Sequence, residues 1–268
     1  MSPPPSPSQL EDNAVPHLPL VISHRTQNGT MPENTLAGVQ AALQSRVDGI
    51  EIDVRLTADG VPVLLHDATL ERTAGDPREV SALTSVELRS TVRVQPRLDL
   101  PEAARHAVSE PQVVPSLAEV LDLVAGRAIV VIEVKQAGMH EQVAEAVRRA
   151  RAAAWCWIWA FDPRVGIACR RALREVPVGL NTAPGILERF GFPDEPVNLC
   201  VSEGFAAVSW RHRTVDEALV RSAQRRGLAT YCWTVNEPDD ITRVWKAGVD
   251  AICTDFPDRV DAVLGRTP

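Results

Sequence analysis

The chain has 268 residues, 45% of them hydrophobic and 24% charged, the make-up of a soluble globular protein long enough for one large α/β domain. Its net charge of −7 argues against a nucleic-acid partner, which a basic stripe usually serves, and no apolar run is long enough to predict stable membrane insertion. The five cysteines, Cys156, Cys169, Cys200, Cys232 and Cys253, show no C-x-x-C spacing and read as buried reduced thiols, not as a disulfide framework or zinc knuckle.

Residues 1–19, MSPPPSPSQLEDNAVPHLP, are rich in proline, serine and acids and lack the basic and apolar regions of a secretion signal. They read as a disordered tail on a cytoplasmic protein, with residues 20–268 forming one domain. Leu20–Ser23 is the first predicted strand and Asn34–Arg46 the first helix. Ile50–Val54 is the second strand; after the Asp59-Gly60 turn, Val61–Leu65 reads as its hairpin partner. Residues 68–115 are long for a connection and read as an insertion near the strand ends. Helix Ser116–Val124 opens with a capping box, Ser116-Leu117-Ala118-Glu119, and leads into strand Ala128–Val134.

The alternation then continues. Helix His140–Arg151 precedes strand Trp155–Ala160, where Trp155, Trp157 and Trp159 read as packing on one face. Asp162-Pro163 caps helix Pro163–Glu175, ahead of strands Val178–Asn181 and Ala206–Ser209. Helix Val215–Arg226, strand Ala229–Trp233, helix Asp239–Lys246 and strand Ala251–Cys253 complete the series. Eight strand–helix units in about 250 residues have the rhythm of a (β/α)8 TIM barrel. The rival open sheet is disfavoured, because no G-x-G-x-x-G or Walker A sequence follows any strand.

Barrel chemistry stands at the C-terminal strand ends. Glu51 and Asp53 are two apart in one strand and so share a face, as do Glu133 and Lys135. Glu51, Asp53 and Glu133 on adjacent strands would repel one another in a poorly hydrated mouth unless a divalent cation joined them. All-oxygen ligation suits Mg²⁺, Ca²⁺ or Mn²⁺. Pairing of the acids with nearby arginine or lysine is the alternative. His24 and His66 each end an apolar run beside this cluster, which suits acid–base work, and Arg25 and Lys135 add charge fitted to a phosphate. Glu33, with Asn34, either caps the first helix or reaches the metal or substrate, and Trp233 either fills the barrel top or walls a pocket.

His24-Arg25, Pro32-Glu33-Asn34-Thr35, Gly49 to Val54, Thr57-Ala58-Asp59-Gly60, Val63 to Asp67 and Leu70-Glu71-Arg72-Thr73 closely resemble the glycerophosphodiester phosphodiesterase family. The resemblance continues through Val114 to Leu121, Ile132 to Lys135, Trp233 to Asn236 and Gly248 to Pro257. It implies a TIM barrel holding one divalent cation on Glu51, Asp53 and Glu133, with His24 and His66 as the acid–base pair and Arg25 and Lys135 on the phosphate. The implied reaction releases glycerol 3-phosphate and an alcohol from a small glycerophosphodiester. The glycerol 2-hydroxyl would attack phosphorus, and water would open the resulting cyclic phosphate. His66, beyond the hairpin, is expected as the general acid and His24 as the base. The pattern departs at Thr26, where the family has glycine and where threonine could crowd the phosphate or donate to it, and at Ala160, often serine. Residues 180–204 follow it only loosely. The head-group alcohol and the oligomeric state stay open.

Overall fold

The computed structural model describes residues 17–45, 47–95 and 110–266. The predicted tail therefore lies almost wholly outside the described residues, as does part of the predicted insertion. Strand β1 is Leu20–Ser23, followed by helix α1 (Leu36–Gln44), β2 (Gly49–Leu56) and β3 (Pro62–Leu64). The insertion supplies β4 (Thr69–Leu70), α2 (Glu71–Ala74), β5 (Asp76–Glu79) and α3 (Ser85–Thr91). Then come α4 (Leu117–Val124), β6 (Ile129–Val134), α5 (His140–Arg149), β7 (Cys156–Ala160), α6 (Pro163–Ala172) and β8 (Val178–Thr182). The chain continues through α7 (Ile186–Arg189), α8 (Pro196–Glu203), β9 (Ala207–Arg211), α9 (Glu217–Gln224) and β10 (Ala229–Trp233). Helix α10 (Pro238–Lys246), β11 (Ala251–Thr254) and α11 (Pro257–Leu264) end it.

The predicted (β/α)8 barrel is the observed fold. Strands β1, β2 and β6 to β11 pair in parallel, and β1 closes the ring by pairing with both β2 and β11. The predicted hairpin also holds: β3 runs antiparallel to β2, with Val54 opposite Leu64. Local chemistry explains where helices begin. The Ser116–Glu119 capping box is formed on both sides, and Asp162 caps α6 ahead of Pro163. Helices α7, α8 and α11 go beyond the predicted elements; α8 and α11 each begin on a proline.

One apolar layer lies between strands and helices, and a second fills the barrel with Ile22, Val131, Trp159, Ala207, Tyr231 and Ala251. The insertion carries its own cluster around Leu65, Leu70, Leu83, Leu88 and Val114. Trp157 and Trp159 point inward against Tyr231, with ring centroids 5.4 and 4.8 Å away. Trp155 does not share their face as the alternation suggested: it precedes β7 and packs on the helix side. Gly179 lets Trp159 into the barrel, since a Cβ there would lie 2.4 Å from the indole. Ala160 is buried on the helix side, so the alanine at this departure faces away from the barrel interior.

Thr26 is buried and turned toward α1. Arg25 and Thr26 have φ of 47° and 75°, a left-handed pair in which threonine is strained, and Thr26 Oγ1 has no hydrogen-bond partner. A Cβ added at Gly38 would lie 2.1 Å from that oxygen, so the glycine makes room for the threonine. Relief of strain worth about 1–3 kcal/mol, with removal of a buried hydroxyl that has no partner, should exceed the roughly 1.6 kcal/mol of two buried carbons and the backbone entropy gained by the unfolded chain. Thr26→Gly should therefore raise Tm by about 2–4 °C for about 1 kcal/mol. Gly38→Ala should destabilise the wild type by about 1–3 kcal/mol yet be neutral or stabilising beside Thr26→Gly. Thermal melts of the double-mutant cycle check this; additive effects would sink the packing account.

Candidate active site

The C-terminal strand ends form one cleft lined by His24, Arg25, Glu51, Asp53, His66, Glu133, Lys135 and Trp233, together with Phe161 and Asn181. The structure thus gathers every residue singled out from the sequence except Glu33, Asn34 and Thr26. Thr26 is not among the lining residues, because its side chain points to Gly38.

Parallel pairing of β2 with β6 sets Asp53 opposite Glu133, and Glu51 lies one side-chain step below Asp53 on the same face. One oxygen from each of Glu51, Asp53 and Glu133 lies within 4.8 Å of the others. All three are at most 9% exposed. Asn34 donates to Asp53 Oδ2 at 2.8 Å and accepts from the Asp53 amide at 3.1 Å. Asn181 donates to Glu133 Oε2 at 3.2 Å, and the Arg25 amide donates to Glu51 Oε2 at 2.8 Å. The acids are thus oriented by neutral donors as well as by charge.

The alternative drawn from sequence, pairing with basic side chains, is also present. Lys135 forms a close ion pair with Glu133 and lies 3.3 Å from Asp53, while Arg25 Nε lies 3.4 Å from Asp53. Glu51 has neither cation as an ion-pair partner, and burial together with the neighbouring Asp53 charge pushes its pKa up. Burial also acts to raise Asp53, but Lys135 and Arg25 outweigh it and hold this carboxyl low. Two permanent cations face three buried carboxylates, and Glu51 has only the titratable His24 to offset its charge. This all-oxygen donor set fits a hard divalent cation.

Each histidine is held by an aspartate to which sequence reasoning gave no role. His24 Nδ1 lies 2.7 Å from Asp255 Oδ1, and His66 Nδ1 lies 2.7 Å from Asp67 Oδ1. Asp255 is fixed in turn by Asn28 at 3.0 Å and Asn236 at 2.7 Å. Arg55 Nε donates to the His66 carbonyl at 2.9 Å. With Nδ1 engaged, Nε2 is the nitrogen each ring offers to the cleft. Their environments differ. Burial lowers the affinity of His24 for a proton, but the Asp255 hydrogen bond and the Glu51 and Asp255 charges more than reverse this, and its pKa is raised. For His66 burial dominates, Lys135 and Arg25 oppose the pull of Asp53, and the pKa is lowered.

Glu33 neither caps α1 nor joins the three acids. Thr35 is the cap, accepting from Gly38 N at 3.1 Å, and Asn34 serves Asp53. Glu33 instead takes a two-point contact from Arg72 at 2.6 and 2.8 Å and lies 3.4 Å from Arg25. Trp233 meets Phe161 edge to face at 5.3 Å on the cleft wall, so it lines the pocket at the barrel top. Among the missed residues, Asp67 was legible from its place beside His66. Asp255, Asn181 and Arg72 were not, because their partners are distant in sequence.

The profile of the glycerophosphoryl diester phosphodiesterase family matches residues 24–259. The chain belongs to that family. A glycerophosphodiester phosphodiesterase of Caldanaerobacter subterraneus is 30% identical over 249 residues, covering 89% of this chain and 95% of the relative. A crystal structure of a candidate family member from Silicibacter pomeroyi superposes with a TM-score of 0.83 at 30% identity, covering 92% and 93% of the two chains. An Oleispira antarctica phosphodiesterase solved with sn-glycerol-3-phosphate has a TM-score of 0.77 at 22% identity over 92% and 97% of the chains. At that identity the likeness is one of fold. Among the described residues no helix is long and apolar enough to cross a membrane.

Proposed function

We propose that this chain hydrolyses glycerophosphodiesters to glycerol 3-phosphate and an alcohol, with one divalent cation, Mg²⁺, Ca²⁺ or Mn²⁺, on Glu51, Asp53 and Glu133. The observation that carries the reading is a buried three-carboxylate cluster in the same cleft as two histidines, each oriented by its own aspartate. When bound, the cation supplies Lewis-acid charge to the phosphoryl oxygens. Arg25 and Lys135 add fixed positive charge beside them, and Trp233 with Phe161 walls the apolar side of the glycerol. Glu33 acts behind Arg25.

The unequal histidine environments support roles opposite to those expected from position. Neutral His66, its pKa lowered, takes the proton of the glycerol 2-hydroxyl as that oxygen bonds to phosphorus. Protonated His24, its pKa raised, gives a proton to the departing alkoxide as the phosphorus–alcohol bond breaks. The cyclic phosphate is then opened by water with the roles exchanged, so both rings return to their starting states. Asp255 and Asp67 hold the tautomers. A cytoplasmic setting, with the five cysteines as free thiols, belongs to the same reading.

A panel of glycerophosphocholine, glycerophosphoethanolamine, glycerophosphoglycerol and glycerophosphoinositol, assayed for glycerol 3-phosphate with and without added metal, tests it. At least one member should be cleaved in a metal-dependent way. Release of glycerol 3-phosphate from none of them would remove this reading.

A further inference from the structure

Arg72 is not a lining residue of the cleft, yet it touches both halves of the machinery. It lies in α2, the single turn at the start of the insertion, and the preceding Leu70 is fully buried in the insertion's own apolar cluster. Its guanidinium donates to both Glu33 oxygens at 2.6 and 2.8 Å and through Nε to Asp67 Oδ2 at 2.6 Å. Each of these acids has a second partner in the site. Glu33 lies 3.4 Å from Arg25 Nη1, and Asp67 Oδ1 lies 2.7 Å from His66 Nδ1.

A carboxylate presents one forked face to a guanidinium. Arg72 occupies that face of Glu33, so Arg25 reaches it only through long Nη1 contacts of 3.4 Å, while its buried Nε lies beside Asp53. Arg25 therefore keeps donors for another anion. Without Arg72, Arg25 would be the sole cation on Glu33 among the described residues, and the buried acid would draw that guanidinium away from the cleft. Asp67 would at the same time lose the contact that fixes its second oxygen, and with it the rigidity it lends to His66.

We propose that Arg72 is a positioning residue for the hydrolysis: it occupies Glu33 and Asp67 so that Arg25 stays available to the substrate phosphate and His66 stays oriented. The inference rests on the phosphodiesterase reading above. It makes the insertion part of the chemistry, because the turn that carries Arg72 is anchored in the insertion's core and not in the barrel's.

The test compares wild type, Arg72→Met, Arg72→Lys and Arg72→Met/Glu33→Gln on the glycerophosphodiester that wild type cleaves fastest. Loss of the forked contacts should lower kcat/KM about 10–100-fold in Arg72→Met, with both a higher KM and a lower kcat. In the double variant residue 33 no longer carries the charge that draws Arg25 away, so KM should return toward wild type while kcat stays low. Arg72→Lys, a point charge without a fork, should fall between. A merely structural role would not split the two constants in this way. Unchanged KM in Arg72→Met, or a KM that the double variant does not recover, overturns the proposal. Should Arg72→Met not fold, as judged by near-ultraviolet circular dichroism, Arg72→Lys with and without Glu33→Gln is read by the same split. Failure of wild type to cleave any diester would instead bring down the phosphodiesterase reading, and this inference with it.

Discussion

Replacing His24 by alanine should cost about 10²–10⁴-fold in turnover of glycerophosphocholine, the usual contribution of a positioned general acid. The same variant should lose far less on an ester with a nitrophenol leaving group, whose anion departs without a proton. On the proposed assignment His66→Ala removes the base and should damage both substrates alike. The electrostatic case for this assignment lies in what the two rings do at neutral pH. His24 is raised above the ordinary histidine value and His66 is lowered below it. With His66 as base, the acid limb of the pH–rate profile falls below the ordinary value of about 6.5; with His24 as acid, the alkaline limb lies above it. Both rings are then correctly protonated over a plateau spanning that value. The opposite assignment would put the proton on the ring that holds it less tightly. Rate profiles with the two leaving groups decide between them: an inverted pattern swaps the roles, and near wild-type turnover in both variants removes the histidines from the mechanism.

Asp53→Asn should weaken metal binding and hydrolysis together. Changing groups around metal ligands commonly costs about 10–100-fold in affinity, so loss of a ligand carboxylate should cost at least about 100-fold. Asp53 is the deepest of the three acids and the one on which Lys135, Arg25 and Asn34 all converge. Calorimetric titration of Mg²⁺, Ca²⁺ and Mn²⁺ into the wild type gives a readout independent of turnover. Thermal melts give another, since a bound ion at about 100 times its Kd stabilises by about 2.7 kcal/mol. Chelation should abolish hydrolysis and a divalent ion should restore it. Full activity in excess chelator, or equal metal affinity in wild type and Asp53→Asn, would falsify the metal assignment.

The barrel was legible because its strands are short apolar runs between capped helices, and the acid pair on β2 because side chains in a strand alternate. Strand order then brought Glu133 to Asp53 without further information. What could not be read is what depends on closure of the ring or on register between strands. The Asp255 partner of His24 lies in the last strand–helix turn; Asn181 reaches Glu133 past the single intervening strand β7, a contact set by the register of neighbouring strands. For Glu33 the sequence left a helix cap and a place near the metal or substrate both open. Its neighbours in sequence suggested a helix cap, whereas the side chain that claims it, Arg72, arrives from the insertion. Thr26 looked like a feature of the phosphate site because of the residue it follows, but its backbone is left-handed and its side chain belongs to the packing of α1.

The bond between His24 and Asp255 joins residues at the ends of β1 and β11, the first and last strands of the ring. A chain emerging from the ribosome thus exposes its three acids, Arg25, Lys135 and His66 before the residue that fixes His24 Nδ1 has been made. Competence arrives late and all at once, when the first and last strands meet. A nascent or cleaved fragment without the final strand would contain the three acids and both histidines yet lack the aspartate that orients His24, which separates possession of the parts from possession of their arrangement.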